Sequence, residues 1–248
     1  MTETTLETES YRLYYWPSLQ GRGEFVRLLF EETGVPYLDM ARLPPEAGGG
    51  IERIHEMRRG EHKSLLPYAP PFLRVGPDVI GQTAVICDFV ARRFGLVPAD
   101  DFKRTSAQQL QLTIMDVVAE VHDTHHPVSI AKYYEDQKEE AAVAARGFIT
   151  ERLPHWLSYF DKVLERSDGP WLLGPDFSYP DLSLFQLTEG LRYAFPKAMS
   201  RAAPPRLLAH HQSVRERETI ARYLKSNRRL PFNEDGIFRY YEALDLEG

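Results

Sequence analysis

The period of the apolar residues changes near residue 100, and that change limits the fold more than any other feature of the chain. Before it, short aromatic or β-branched runs alternate with helical ones; after it, almost every periodic stretch is helical. Tyr11 to Trp16 reads as a strand by its aromatic content. Gly21 to Glu32 reads as a helix whose Phe25, Leu28, Leu29 and Phe30 form one apolar face. Gly34-Val35-Pro36 stops that helix and starts a second strand, Tyr37 to Met40, which completes a β-α-β unit. Pro44 to Gly60, with Gly48-Gly49-Gly50 and mixed charge, reads as a loose, partly helical excursion. Pro71 to Val75, the turn Gly76-Pro77-Asp78 and Val79-Ile80 form a hairpin, followed by an amphipathic helix from Gln82 to Phe94 that Gly95 stops.

Leu96 to Asp101 reads as a linker. Beyond it, helices are expected over Ala107–Val121, Gln137–Glu165 and Pro180–Tyr193. Ser178-Tyr179-Pro180-Asp181 has the chemistry of a capping box, with serine as the cap, proline in the first turn and aspartate returning a bond to the cap backbone. The expected class is therefore α+β. A thioredoxin-like α/β domain spans residues 10–95, an all-helical domain residues 105–230, and a tail residues 231–248. The tail is rich in aromatic residues from Pro231 to Tyr241, so it is expected to pack down over the site rather than trail in solvent.

A chain of 248 residues with 43% apolar content can bury a sizeable core and suits two small domains. Its net charge of −6 and lack of a basic run argue against nucleic acid as a partner. No apolar run approaches a membrane span, and Met1 to Ser10 is acidic and polar, unlike a signal peptide, so a cytoplasmic protein with a frayed N-terminus is expected. The single cysteine, Cys87, excludes an intramolecular disulfide and a Cys-x-x-Cys redox centre; within Ala84–Val90 it reads as a buried structural thiol.

Four segments, in order and spacing, carry a resemblance to a known family. They are Tyr15-Trp16 followed by Gly21-Arg22-Gly23-Glu24; Pro71-Phe72-Leu73 before the hairpin; Gly81-Gln82-Thr83 opening a helix; and Ser178-x-x-Asp181 after Trp171-Leu172-Leu173-Gly174. From Tyr11 to about Tyr223 the chain resembles a cytosolic glutathione transferase of the tyrosine type, near the sigma, mu and pi classes. The resemblance implies glutathione as co-substrate, no metal, a hydrophobic small-molecule electrophile as second substrate, and a homodimer.

It also implies roles for individual residues. Tyr15 matches the tyrosine whose hydroxyl donates to the glutathione sulfur. A free thiol with a pKa of about 8.5 is only a few per cent thiolate at neutral pH, and each unit of lowering takes about 1.4 kcal/mol of preferential anion binding, within reach of one charge-assisted hydrogen bond. The neighbouring phenol, Tyr14, belongs to the opposite face of the strand. Gln82 and Thr83 match the pair that holds the γ-glutamyl carboxylate at a helix start, where free N–H groups and the helix dipole favour an anion. Pro71 matches the cis-proline beside the cysteinyl backbone of glutathione, and Arg22 joins the glutathione-binding set.

The chain departs from the pattern at two places. Pro70 lacks the N–H that the family uses at this position, so only its carbonyl can bond the peptide, and the loop after Trp16 carries one more residue than the mu or sigma pattern. Arg58, Arg59, His62 and Lys63 are candidates for the glycine carboxylate, with Lys63 preferred by position, and Gln109 or Gln111 replaces an acid that some classes lend from the partner subunit. His122, His126 and Tyr133 are expected to line the second-substrate pocket, although His122, His125 and His126 also suit a helix C-terminus on their own. Two other activities use the same fold: glutathione-dependent isomerisation or peroxide reduction, and glutathione or ligand binding without turnover.

Overall fold

The computed structural model describes residues 10–245; the expected frayed N-terminus and the last three residues of the tail lie outside them. Four strands form one sheet in the order β2-β1-β3-β4. β1 (Tyr11–Tyr14) runs parallel to β2 (Tyr37–Asp39) and antiparallel to β3 (Phe72–Val75), which turns through Gly76-Pro77 into β4 (Asp78–Gly81). Helix α1 (Gly23–Thr33) makes the parallel crossover and stops at Gly34, which takes the left-handed conformation. The stretch after β2 is more ordered than its glycines suggest: two 3-10 turns lead to α2 (Glu52–Arg59), whose last carbonyls are capped by the Gly60 N–H. Helix α3 (Thr83–Arg93) closes this half.

The helical half begins with α4 (Asp101–Asp123), earlier than its apolar period shows, because Asp100 caps it by accepting from the Lys103 N–H. Leu96, read as linker, packs on the core, and its carbonyl accepts from the Tyr179 N–H. The single helix expected over Gln137–Glu165 is two, α5 (Lys138–Gly147) and α6 (Leu153–Arg166), joined by a π turn at Phe148–Arg152. Pro154 has no N–H to return to residue 150, so the helical ladder widens just before it. Then come α7 (Tyr179–Ala194), α8 (Pro196–Ala202), α9 (Pro205–Arg215) and α10 (Glu218–Leu224). The capping box at Ser178 and Asp181 is formed as read, and Asp181 also accepts from the Leu172 N–H.

The main apolar core is shared by the two halves: Phe25 and Leu28 of α1 and Val90 of α3 join Val117 of α4, Leu184 of α7 and Tyr223 of α10 in one cluster. A smaller cluster on the other side of the sheet holds Tyr14, Ile54, Met57 and Phe72. The halves are also joined by buried charge. Glu24 and Arg27, both fully buried on α1, pair at 3.2 Å; Arg27 reaches Asp39 at 2.8 Å, and Glu24 accepts from Tyr223 and Arg229 at 2.6 Å each. Burial alone would raise the Glu24 pKa, but the charges of Arg229 and Arg27 outweigh it and hold the carboxyl below its usual range.

The tail packs down, as its aromatic content suggests. Phe238 lies against α7 at Gly190, where a Cβ would overlap the ring, and Tyr241 stacks on Tyr134 with ring centroids 3.9 Å apart. Asp245 accepts from the Lys197 and Ala198 N–H groups at the start of α8.

Candidate active site

Strand register brings the first site residues into one row. Tyr14 pairs with Phe72, and Phe72 with Gly81, so the next residues in each direction are Tyr15, Pro71 and Gln82, side by side at one end of the sheet. The Pro70–Pro71 peptide is cis and leads directly into β3.

Tyr15 is buried just beyond the end of β1, on the side away from the Tyr14 cluster, as strand alternation requires. Its hydroxyl oxygen accepts from the Arg22 backbone N–H at 2.9 Å. Gly21 and Gly23 let the chain pass so close: a Cβ on either would overlap the Tyr15 side chain, and Gly21 also has φ +40°. Burial pushes the Tyr15 pKa up, against the Arg22 N–H and the nearby Arg27 and Arg22 charges. The phenol therefore keeps its proton at neutral pH and offers an O–H donor, polarised by a donor behind it.

The start of α3 is built to receive an acceptor. Gln82 has φ +67° and ψ +117°, a conformation that non-glycine residues rarely hold. The Thr83 hydroxyl is buried with no hydrogen-bond partner, and it stands at a helix start whose free N–H groups favour an anion. A buried hydroxyl left unmatched costs about 1–3 kcal/mol, so this arrangement points to a ligand that completes it.

The four cations between α2 and the cis-proline separate clearly. Arg59 pairs with Glu52 and Glu61, and His62 meets the Met57 carbonyl at 3.3 Å. Arg58 and Lys63 are exposed, with no carboxylate in ion-pair range among the described residues. Gln111 cannot substitute for a partner-lent acid: it is buried between α4 and α7, accepting from Ser183 at 2.6 Å. Gln109 is exposed.

Arg22, the residue before α1, is half-buried and reaches α4, its guanidinium 3.7 Å from the Met115 sulfur. His122 lies seven residues further along α4, two turns and about 10 Å on the same face. His122, His125 and His126 form a triangle of rings with centroids 4.8–5.1 Å apart. Burial lowers the His122 pKa to about 4, helped by His126, Arg239 and Arg22. His125 is lowered to about 3, again mainly by burial, although its bond to the Ile237 carbonyl at 2.8 Å opposes the shift. The rings are thus neutral at pH 7. Among the described residues, no cluster of histidine, cysteine or acidic side chains has the geometry to hold a metal. Tyr133 is 77% exposed, whereas its neighbour Tyr134 is packed on the tail.

Cys87 is buried on α3, and burial pushes its thiol up, consistent with a structural residue. Three contributors escaped sequence reading. Met115 and Arg239 lie far in sequence from any motif. Gln20 donates to the Leu230 carbonyl and accepts from Gln186, tying the loop after Trp16 to the helical half.

Comparison with known proteins finds similarity to glutathione S-transferases. Residues 122–227 match the glutathione S-transferase C-terminal domain. A glutathione S-transferase of Plasmodium falciparum (isolate 3D7) is 21% identical over 87% of this chain and 95% of its own length. Glutathione S-transferase 1 of Ascaris suum is 24% identical over 90% of this chain and 98% of its own. Among solved structures, the pi-class glutathione S-transferase of Onchocerca volvulus superposes with a TM-score of 0.68 at 20% identity, over 87% of this chain and 92% of that one. The helical half thus matches the glutathione S-transferase C-terminal domain, nearly the whole chain is similar to proteins named glutathione S-transferase, and its fold is the one seen in their solved structures.

Proposed function

We infer that this glutathione transferase ionises its thiol co-substrate with Tyr15 and delivers the thiolate to an electrophilic carbon held against α4 and the tail. The observation that carries the reading is the buried Tyr15 hydroxyl, still protonated and backed by the Arg22 N–H, in one row with cis-Pro71 and Gln82. The O–H donates to the sulfur and favours the anion over the thiol, while the half-buried Arg22 guanidinium adds positive charge nearby. The Thr83 hydroxyl and the α3 N–H groups hold the γ-glutamyl carboxylate with Gln82; the Pro70 carbonyl accepts from the peptide backbone, and Lys63 faces the glycine carboxylate. Binding both reactants turns a bimolecular attack into a local one, and thiolate formation does the rest.

His122 and His126 border the second-substrate pocket. The protein works in the cytoplasm as a homodimer, a state that sedimentation equilibrium measures directly.

Substitution Tyr15→Phe is expected to leave glutathione affinity within about twofold and to reduce conjugation of 1-chloro-2,4-dinitrobenzene at least tenfold, on the scale of one lost charge-assisted hydrogen bond. The thiolate absorbance of the binary complex should fall in parallel. Full activity in that variant would move the catalytic role to another donor, and binding without turnover in the wild type would favour a ligand-binding protein on the same fold.

A further inference from the structure

Arg239 is the one part of this region for which the transfer reaction, as described so far, has no use. It is half-buried, and its guanidinium bonds only carbonyls of its own turn, Gly236 at 2.7 Å and Asp235 at 3.2 Å. No carboxylate among the described residues lies in ion-pair range of it, whereas buried Arg27 and Arg229 both have carboxylate partners. The segment that carries it is fixed on three sides: by Asn233 donating to the Ser18 carbonyl at 2.9 Å, by His125 meeting the Ile237 carbonyl, and by Tyr241 stacked on Tyr134. The imidazoles of His122, His125 and His126 beside it are neutral at pH 7, and the acids that act on this ring group, Asp123 and Glu135, make no ion pair with Arg239. Arg22 joins the Tyr15 hydroxyl to Met115 on α4, His122 follows two turns along that helix, and the bond from His125, whose ring lies 5.1 Å from that of His122, to the Ile237 carbonyl sets the Arg239 segment beside these rings. An arginine fork in such a setting matches a carboxylate in shape and charge.

We propose that the second-substrate site takes an electrophile that carries a carboxylate, which Arg239 binds while the apolar body of the molecule lies along Met115 and His122. This rests on the transferase reading above and specifies its substrate class. For an α,β-unsaturated ketone bearing an acid, the step is an addition. The glutathione sulfur bonds the terminal alkene carbon, the C=C π pair moves toward the carbonyl as an enolate, and a proton from water ends on the α-carbon. Nothing is oxidised or reduced, and the carboxylate is unchanged.

Ethacrynic acid and its methyl ester separate this proposal from the broader one. The wild-type enzyme should favour the acid over the ester by about tenfold or more in kcat/KM, a preference that weakens as salt is raised. Arg239→Gln should bring that ratio close to one, and Arg239→Lys should retain most of it. Because the ratio compares two substrates on one protein, a variant that merely loosens the tail lowers both rates and leaves the ratio intact. Equal use of acid and ester by the wild type, or an unchanged ratio in Arg239→Gln, overturns the proposal while the transferase reading stands. If neither compound nor 1-chloro-2,4-dinitrobenzene is turned over, the transferase reading fails, and calorimetric binding of the acid against the ester still decides the role of Arg239.

Discussion

Thr83 illustrates how a residue fit for a ligand differs from one fit for folding. Its hydroxyl is buried and unpartnered, so it contributes nothing to the unliganded fold that a methyl group would not. Thr83→Val is therefore expected to leave folding stability unchanged or to raise it by up to about 1 kcal/mol, while glutathione affinity falls about tenfold. Urea denaturation and calorimetric titration measure the two effects separately; lost stability with intact binding would place the carboxylate elsewhere. The positions of Tyr15 at a strand end and of Gln82-Thr83 at a helix start were legible in the sequence, because strand ends and helix starts carry local signals, whereas their roles rest on the resemblance. Arg22 entered the glutathione-binding set by resemblance, and its side-chain reach to Met115 on α4 was not legible. Glu24 and Arg27 were illegible: charged residues in a helix read as solvent-facing, and only the tertiary structure shows them fully buried in a network with Asp39, Tyr223 and Arg229.

At the scale of elements, alternation and turn chemistry gave the sheet and its hairpin. The row of Tyr15, Pro71 and Gln82 needs the strand register as well, which no single segment contains. Boundaries moved where a polar group outside the apolar period took control, as with Asp100 at the start of α4 and Pro154 after the π turn. The tail was legible as a packed segment but not in its course, because the contact that seats it is an absence of side chain, at Gly190 beneath Phe238. Gly190→Ala forces a methyl group into that ring. Helix propensity favours alanine there by up to about 1 kcal/mol, yet overpacking of this kind costs about 1–3 kcal/mol. The expected result is net destabilisation in thermal melts, with faster proteolysis of the tail. A melting temperature at or above that of the wild type would show that Phe238 is not held as described.

For the whole molecule, the histidine triangle sets the response to acid. His122 and His125 have folded pKa values of about 4 and 3, below the unfolded value of about 6.5. Between those values the unfolded chain holds more protons, so stability rises with pH in that window and is lost as pH falls. Glu24, held below its usual range, adds a loss in the same direction below about pH 4.5. Folding free energy from urea titrations is expected to fall by about 2–5 kcal/mol from pH 6.5 to 4, and His125→Gln should flatten the slope. A slope unaffected by that substitution would assign the acid response to other groups.

The ties between the loop after Trp16 and the tail also order events during synthesis. Ser18 is held by Asn233, 215 residues later, and Glu24 by Arg229, 205 residues later. A nascent chain therefore exposes its first strand and its phenol long before the residues that fix the adjoining loop have been made. The first part of the site to be translated is among the last to be secured, because the contacts that fix its loop wait for residues 229–233 to be made and to close on the first strand.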